Sequence, residues 1–199
     1  MRTKAEDDRA REGIKKAMKS SAQKKDKSLV IVFTGHGKGK TSAALLCAFR
    51  TVAHGWKAAV VQFLKSPRDF RYGEQIIAEK LPGLDFFMMG AGFTWNTNNR
   101  DLDVRTTRKT WEKCKECVMS GKYRIVIWDE INYVIDYGFL PLDPVLEFLK
   151  QKPPKVHICL TGRNAKPEIV EIANLVTEMK EVKHPYKLEG IIAQKGIEY

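Results

Sequence analysis

The stretch Thr34-Gly35-His36-Gly37-Lys38-Gly39-Lys40-Thr41 decides the fold of this chain. It follows a short apolar run at residues 29–33 and precedes a stretch of helical character at residues 41–54. A strand, a glycine-rich loop and a helix in this order are typical of a phosphate-binding loop, or P-loop, whose backbone amides and helix N-terminus face phosphate oxygens. In such a loop Lys40 supplies a full positive charge, and the hydroxyl of Thr41 binds Mg²⁺.

The loop departs from the usual P-loop pattern, GxxxxGK[ST], at its first position. Thr34 stands where that pattern has glycine, but Gly39-Lys40-Thr41 and two further glycines remain. A chance glycine-rich turn is the alternative interpretation, and the flanking strand and helix argue against it. We therefore expect the phosphates of a bound nucleotide to contact Gly35, His36, Gly37, Lys38, Gly39, Lys40, Thr41 and Ser42.

Short apolar runs alternate with helical patterns along the rest of the chain. The predicted strands are residues 29–33, 58–64, 84–88, 125–128 and 156–160. The predicted helices are residues 41–54, 73–80, 101–120, 143–150 and 167–175, with Asp143 as an N-cap and Pro167 in a first turn. This alternation predicts an α/β fold of the RecA-like P-loop NTPase class, a mostly parallel sheet with helices on both faces. Active sites in such sheets lie at the carboxyl ends of the strands.

The composition is that of an ordinary globular domain. The chain has 199 residues, of which 43% are hydrophobic and 30% charged. No apolar run is long enough to span a membrane and no apolar region follows the charged N-terminus, so we expect a cytoplasmic protein.

Residues 1–28 hold ten basic and five acidic side chains and are expected to be a separate segment, either a disordered tail or a lid helix that orders on binding. The P-loop domain is expected at residues 29–199.

The formal net charge of +11 favours anionic partners. A protein that reads nucleic acid should also show clustered aromatic residues or a known module, and neither is found, so we expect no nucleic-acid partner.

Cys114 and Cys117 have the spacing of a metal-binding or redox pair. The sequence offers no second ligand pair, so both are interpreted as ordinary residues of a helix.

An acidic pair ends the run Ile125-Val126-Ile127-Trp128-Asp129-Glu130. Four apolar residues followed by two acids are typical of a Walker B strand, whose carboxylates emerge beside the P-loop. Mg²⁺ takes one or two carboxylates together with phosphate oxygens, so Asp129 and Glu130 are candidate metal ligands alongside Thr41. The alternative is an acidic pair that merely ends a strand.

Two aromatic residues follow the third predicted strand, in Gly90-Ala91-Gly92-Phe93-Thr94-Trp95-Asn96-Thr97-Asn98-Asn99-Arg100. Phe93 and Trp95 are costly to leave in water, so they either fold into the core or form a platform for a flat, apolar ligand. Lys65 and Arg163 follow strands that end on the same edge. Each is a candidate contact to an anionic group, with a solvated loop charge as the alternative.

Six segments, taken in order, resemble the P-loop type of ATP:corrinoid adenosyltransferase. They are Gly35-His36-Gly37-Lys38-Gly39-Lys40-Thr41, Val61-Gln62-Phe63-Leu64-Lys65, Gly92-Phe93-Thr94-Trp95, Asp129-Glu130, Thr161-Gly162-Arg163 and Ala193-Gln194-Lys195-Gly196-Ile197-Glu198-Tyr199. The resemblance covers nearly all of residues 29–199. The chain departs from it at two positions, since the family typically has Asn where His36 stands and often Glu where Asn96 stands.

The resemblance implies an enzyme that transfers the 5′-deoxyadenosyl group of ATP to the Co(I) of a corrinoid and releases tripolyphosphate, in the biosynthesis or salvage of adenosylcobalamin. It implies Mg²⁺, or alternatively Mn²⁺, held by Thr41 and Glu130 with Asp129 as a further ligand or support. Lys40, Thr41 and Glu130 would act in catalysis by stabilising the departing triphosphate. Lys65 and the P-loop would help to bind ATP.

The same resemblance assigns Phe93 and Trp95 to catalysis as the corrinoid-facing platform that displaces the lower axial ligand of cobalt. Arg163, like Lys65, would contact the phosphates of ATP or else the amide and acid groups of the corrinoid. A flavoprotein such as flavodoxin would supply the electron, and the chain would form a homodimer. Two other functions stay open: a RecA-like P-loop ATPase acting on nucleic acid, and a regulatory module that binds nucleotide without turnover. The first predicts release of orthophosphate stimulated by nucleic acid, and the second predicts ATP binding without a product.

Overall fold

The structure, a computed structural model, describes residues 27–66, 72–92 and 99–198. Within these residues six strands form one sheet: β1 Val30–Thr34, β2 Ala58–Gln62, β3 Leu84–Met88, β4 Ile125–Asp129, β5 His157–Thr161 and β6 Leu175–Glu178. The helices of the same residues are α1 Lys40–Ala53, α2 Gly73–Lys80, α3 Arg100–Met119, α4 Ile131–Asp136, α5 Leu142–Gln151, α6 Pro167–Ile172 and α7 Pro185–Glu189.

Neighbouring strands all run parallel, in the order β3-β2-β4-β5-β1-β6. The four central strands are almost entirely apolar and buried, as expected of a parallel sheet that is covered on both faces. Because β5 lies between β1 and β4, the loops that follow β1 and β4 flank the carboxyl end of β5. The structure therefore confirms the predicted α/β class and its parallel sheet.

Helices cover both faces of this sheet. On one face, Ala44 and Ala48 of α1 are fully buried in an apolar cluster with the strands, and their small side chains let the helix lie close to the sheet. On the other face, Trp128 of β4 meets Trp111 of α3 edge-on, with ring centroids 5.1 Å apart. Phe148 of α5 lies 5.5 Å from Trp111 and completes the aromatic cluster. Edge-to-face contacts of this kind stabilise a core beyond the area they bury.

Some details of the predicted secondary structure are wrong. The helix predicted at residues 167–175 ends at Ile172, and Leu175–Glu178 forms β6. Asn174 stops the helix, because its side-chain oxygen accepts from the Val30 amide at 2.9 Å and its own amide donates to the Val30 carbonyl at 2.8 Å. Asp143 is not an N-cap, since α5 begins one residue earlier and no side chain caps it. Pro167 does lie in the first turn of α6, as predicted.

The two closely spaced cysteines, Cys114 and Cys117, lie inside α3, and both are buried and free. Their interpretation as helix residues is confirmed, and burial raises the pKa of Cys117 to about 11. Residues 1–26 lie outside the described residues, so the predicted division at residue 28 stays a prediction. In the part of the chain that the structure describes, no helix is both long and apolar enough to cross a bilayer.

Candidate active site

The P-loop connects β1 to α1 and packs closely against the chain that follows β6. The amide of Gly37 donates to the Met179 carbonyl at 2.7 Å. Gly35 has a φ of 91°, and a Cβ added there would lie 2.5 Å from the Met179 oxygen. A side chain at this position would therefore need both a strained backbone and a displaced neighbour. Thr34, which departs from the usual glycine, accepts from the Ala165 amide at 3.2 Å through its hydroxyl.

Lys40 folds back over the loop that precedes it. Its Nζ donates to the carbonyl of Gly35 at 2.9 Å and to that of Gly37 at 2.6 Å. Burial lowers the pKa of Lys40, and the nearby charges of Arg163 and Lys38 lower it further. The ammonium group therefore lies at the mouth of the loop in an electropositive setting that favours an incoming anion.

Asp129, at the end of β4, is the centre of a buried polar cluster that joins three strands and α1. Its Oδ1 accepts from the hydroxyls of Thr41 at 2.9 Å and Thr161 at 2.6 Å. Its Oδ2 accepts from the side-chain amide of Gln62 at 2.8 Å. A fully buried carboxylate is stable only when it is paired or well hydrogen-bonded, and these three donors meet that need. The predicted proximity of Asp129 and Thr41 is thus observed.

Glu130 follows directly and has a left-handed backbone with φ of 70°. This conformation is uncommon outside glycine, and here the Glu130 amide donates to the Thr161 hydroxyl at 2.9 Å. The side-chain Oε2 is buried without a partner. Burial raises the pKa of Glu130 to about 8, as does the neighbouring Asp129, against the opposing effect of Lys65.

A cleft of about 880 Å³ opens at the carboxyl edge of the sheet above these groups. The predicted site residues that line it are His36, Gly37, Lys38, Gly39, Lys40, Thr41, Ser42, Lys65, Glu130 and Arg163. The structure therefore brings together side chains that lie up to 127 positions apart between His36 and Arg163. Gly35 and Asp129 lie beneath the cleft and are buried.

Two of the cleft cations differ in their surroundings. Lys65 forms an ion pair with Glu74, with Nζ 2.6 Å from Oε1, and the same Nζ lies 4.4 Å from the centre of the Tyr72 ring. Lys65 is thus held by an anion of its own chain. Arg163 lines the cleft with its Nε buried and without a hydrogen-bond partner, so its guanidinium retains an unused donor near the cleft.

The oxygen donors around Thr41 have the composition of a Mg²⁺ site. Thr41, Asp129 and Glu130 offer one hydroxyl and two carboxylates, and Mg²⁺ binds one or two carboxylates together with phosphate oxygens. The unpartnered Oε2 of Glu130 is an atom that a cation would satisfy. Within residues 27–66, 72–92 and 99–198, no group of three or more His, Cys, Asp or Glu side chains is placed to hold a metal ion.

Phe93, Trp95 and Asn96 lie outside the described residues, and the role predicted for the two aromatics stays a prediction. The residues just before them, Gly90 to Gly92, lie at the carboxyl edge of the sheet. The Gly92 amide donates to the Leu64 carbonyl at 3.2 Å. A Cβ at Gly90 would lie 2.3 Å from the Leu64 carbonyl carbon, so this strand end passes against the residue before Lys65.

Several residues of the site are absent from the sequence-based prediction. Gln62 and Thr161 hold Asp129, while His184 and Glu198 line the cleft. A signal exists for the first pair, because each is the polar last residue of a buried apolar strand and such residues emerge at the active edge. Glu198 stands in the last of the six segments that carry the family resemblance, whereas no comparable signal marks His184.

The chain is similar to known proteins over nearly all of its length. A model of the family described as "ATP:corrinoid adenosyltransferase BtuR/CobO/CobP" matches residues 26–199. A protein of Sinorhizobium sp called "Corrinoid adenosyltransferase" is 43% identical over 98% of this chain and 94% of its own length. Proteins of Escherichia coli K12 ("Corrinoid adenosyltransferase") and Salmonella typhimurium ("Corrinoid adenosyltransferase CobA") are 40% and 37% identical, each over 87% of both chains.

Proposed function

The chain belongs to the ATP:corrinoid adenosyltransferase family, and from that premise we propose how its cleft performs the transfer. The enzyme adenosylates a corrinoid at the expense of ATP. Reduced cobalt of the corrinoid, Co(I), attacks the 5′ carbon of ATP and a cobalt–carbon bond forms. The bond from that carbon to the triphosphate oxygen breaks, and tripolyphosphate leaves with its electron pair.

One observation supports this proposal above the others: a phosphate-binding loop and an acidic strand end share one cleft that is lined by several cations. The cations are Lys38, Lys40, Lys65 and Arg163. Negative charge develops on the bridging oxygen as the triphosphate departs, and fixed donors aimed at that charge lower the barrier. The P-loop amides and Lys40 supply such donors, while Lys38, Lys65 and Arg163 bind the outer phosphates.

Thr41, Glu130 and Asp129 would hold Mg²⁺ in this proposal. The ion would neutralise charge on the phosphate oxygens. Asp129 accepts from the Thr41 hydroxyl at 2.9 Å, so it orients that oxygen at the first turn of α1. Glu130 lines the same cleft as Thr41 and has an unpartnered Oε2.

Phe93 and Trp95 are proposed as the face that meets the corrinoid. They follow Gly92, whose amide donates a hydrogen bond to the Leu64 carbonyl at the carboxyl edge of the sheet. Their segment therefore begins next to the cleft. An apolar surface there removes the lower axial ligand of Co(II) and makes its reduction to Co(I) easier. A flavoprotein reductant, a homodimer and a cytoplasmic location remain predictions from the family resemblance.

The test is anaerobic incubation of the chain with ATP, Mg²⁺ and a chemically reduced corrinoid. We expect a light-sensitive cobalt–carbon product and one tripolyphosphate per product. Release of orthophosphate instead, stimulated by DNA or RNA, would support the nucleic-acid ATPase in its place. ATP binding without any product would support the regulatory module.

Single substitutions test the roles proposed for individual residues. Lys40→Gln should lower the rate with Co(I) at least about a hundredfold, the usual scale for one transition-state donor. Lys80 is an exposed lysine in the last turn of α2, so Lys80→Gln is the matched control and should leave the rate unchanged.

Phe93→Ala and Trp95→Ala should impair turnover from Co(II) much more than from ready-made Co(I). Equal losses in the two assays would contradict the axial-ligand role.

A further inference from the structure

A carboxylate of the chain itself lies at the phosphate-binding loop. Glu198 Oε2 lies 2.5 Å from the Nζ of Lys38, and both residues line the 880 Å³ cleft. The amides of Ile197 and Glu198 both donate to the Gln194 carbonyl, at 3.1 and 2.9 Å. This turn holds the Glu198 backbone at the cleft, so the carboxylate is presented to the loop by local structure.

The position of Lys38 within the loop makes this contact informative. An ammonium group binds a carboxylate oxygen and a phosphate oxygen through the same donors. Lys38 forms an ion pair with Glu198 and Lys65 forms one with Glu74, so two of the cleft cations are already paired with carboxylates of the chain. A triphosphate that enters the cleft must either take Lys38 from Glu198 or lie beside a negative charge.

We propose that Glu198 is an internal competitor for Lys38 that weakens the hold of the P-loop on polyphosphate. The inference rests on the proposed function, in which tripolyphosphate is the leaving group. Glu198 is then a further residue that sets how tightly tripolyphosphate is bound and how readily it leaves. Because the competition is between anions, it affects polyphosphate and ATP but not the adenosine part of the substrate.

A purely structural role for this ion pair predicts that its removal destabilises the fold. We expect otherwise, because the side chain of Lys38 is 53% exposed and exposed ion pairs contribute little to folding stability. Removal of Glu198 should therefore leave the unfolding temperature nearly unchanged. If Glu198 instead held Lys38 in the geometry needed for binding, its removal would weaken polyphosphate binding, which is the opposite of our expectation.

Calorimetric titration with inorganic tripolyphosphate, in the presence of EDTA, tests the proposal on the full chain. Glu198→Gln should bind tripolyphosphate about fivefold more tightly, which corresponds to about 1 kcal/mol, the Coulomb energy of one charge pair about 4 Å apart in water. Glu198→Asp should stay near the parent value, because it keeps the charge. Adenosine should bind all three chains equally, and about 0.5 M salt should reduce the difference.

Two further variants separate the possible causes. Glu189→Gln removes an exposed carboxylate at the end of α7 and should leave the affinity for tripolyphosphate unchanged. In a Lys38→Met background, Glu198→Gln should gain clearly less than in the parent chain, since only the repulsion between Glu198 and phosphate remains to be removed. A full fivefold gain in that background would overturn competition for Lys38.

Unchanged or weaker binding of tripolyphosphate by Glu198→Gln overturns the inference, and so does an absence of binding in every chain. The proposed function is judged separately by the cobalt–carbon product. A chain that forms no such product but shows the Glu198 effect would contradict the proposed function alone. A chain that forms the product without the Glu198 effect would contradict this inference alone.

Discussion

Thr161→Val tests whether the polar cluster around Asp129 is held by protein donors rather than by packing. Valine keeps the volume and branching of threonine but removes its hydroxyl. That hydroxyl donates to Asp129 at 2.6 Å and accepts from the Glu130 amide at 2.9 Å. One buried carboxylate then loses one of its three donors, and one backbone amide loses its acceptor.

A hydrogen bond to a charged group contributes about 1.5–3 kcal/mol, and an unpaired buried amide costs about 1–3 kcal/mol, so the two losses together should lower the free energy of unfolding by about 3 kcal/mol. For a domain of this size, the unfolding temperature should fall by roughly 6–12 °C. Urea denaturation followed by circular dichroism measures the first quantity, and calorimetry measures the second.

Thr161→Ser keeps the hydroxyl and should lose less than about 1 kcal/mol. Thr177→Val makes the same change at an exposed position of β6 and should be nearly neutral. If Thr161→Val is as stable as the parent chain, or if Thr161→Ser loses as much stability as Thr161→Val, the Thr161 hydroxyl does not hold this cluster together.

Three other substitutions or probes test separate parts of the structure. Gly35→Ala should cost about 3 kcal/mol of stability by urea unfolding, because of its φ of 91° and its 2.5 Å approach to Met179. Gly55→Ala has a similar φ of 81° but open space around it, so it should cost only about 1 kcal/mol, and equal losses would argue against the close packing of the P-loop. Trp111→Ala should lower stability by about 3–5 kcal/mol in the same assay, since it removes the ring that joins Trp128 and Phe148. The thiols of Cys114 and Cys117 should react slowly with a thiol reagent at pH 8 until the chain unfolds, because burial raises their pKa; fast reaction in the native protein would contradict that burial.

The parts of the fold that the sequence predicts are those carried by local patterns. The P-loop is a continuous segment between an apolar run and a helix, and each central strand is a short apolar run. The proximity of Thr41 and Asp129 follows from the rule that carboxyl ends of parallel strands share an edge. Strand β6 escapes prediction because its residues are exposed and give no apolar run.

The partners within the site depend instead on strand order, which local patterns do not fix. Asp129 meets Thr161 because β5 lies beside β4, and it meets Gln62 because β2 lies on the other side. Glu198 reaches Lys38 across 160 positions of the chain. The left-handed backbone of Glu130 is likewise invisible in the sequence, since it arises where the chain turns from β4 into α4.

The back wall of the P-loop is built on the edge strand with the least burial. Every residue of β6 is exposed, yet the Met179 carbonyl that follows it accepts from Gly37 at 2.7 Å. Local opening of an edge strand needs far less free energy than global unfolding. Ligand binding to the P-loop and the order of β6 are therefore thermodynamically linked. A ligand that rigidifies the P-loop also makes local opening of β6 rarer, and opening of β6 removes the hydrogen bond from Gly37 to Met179 that supports the loop.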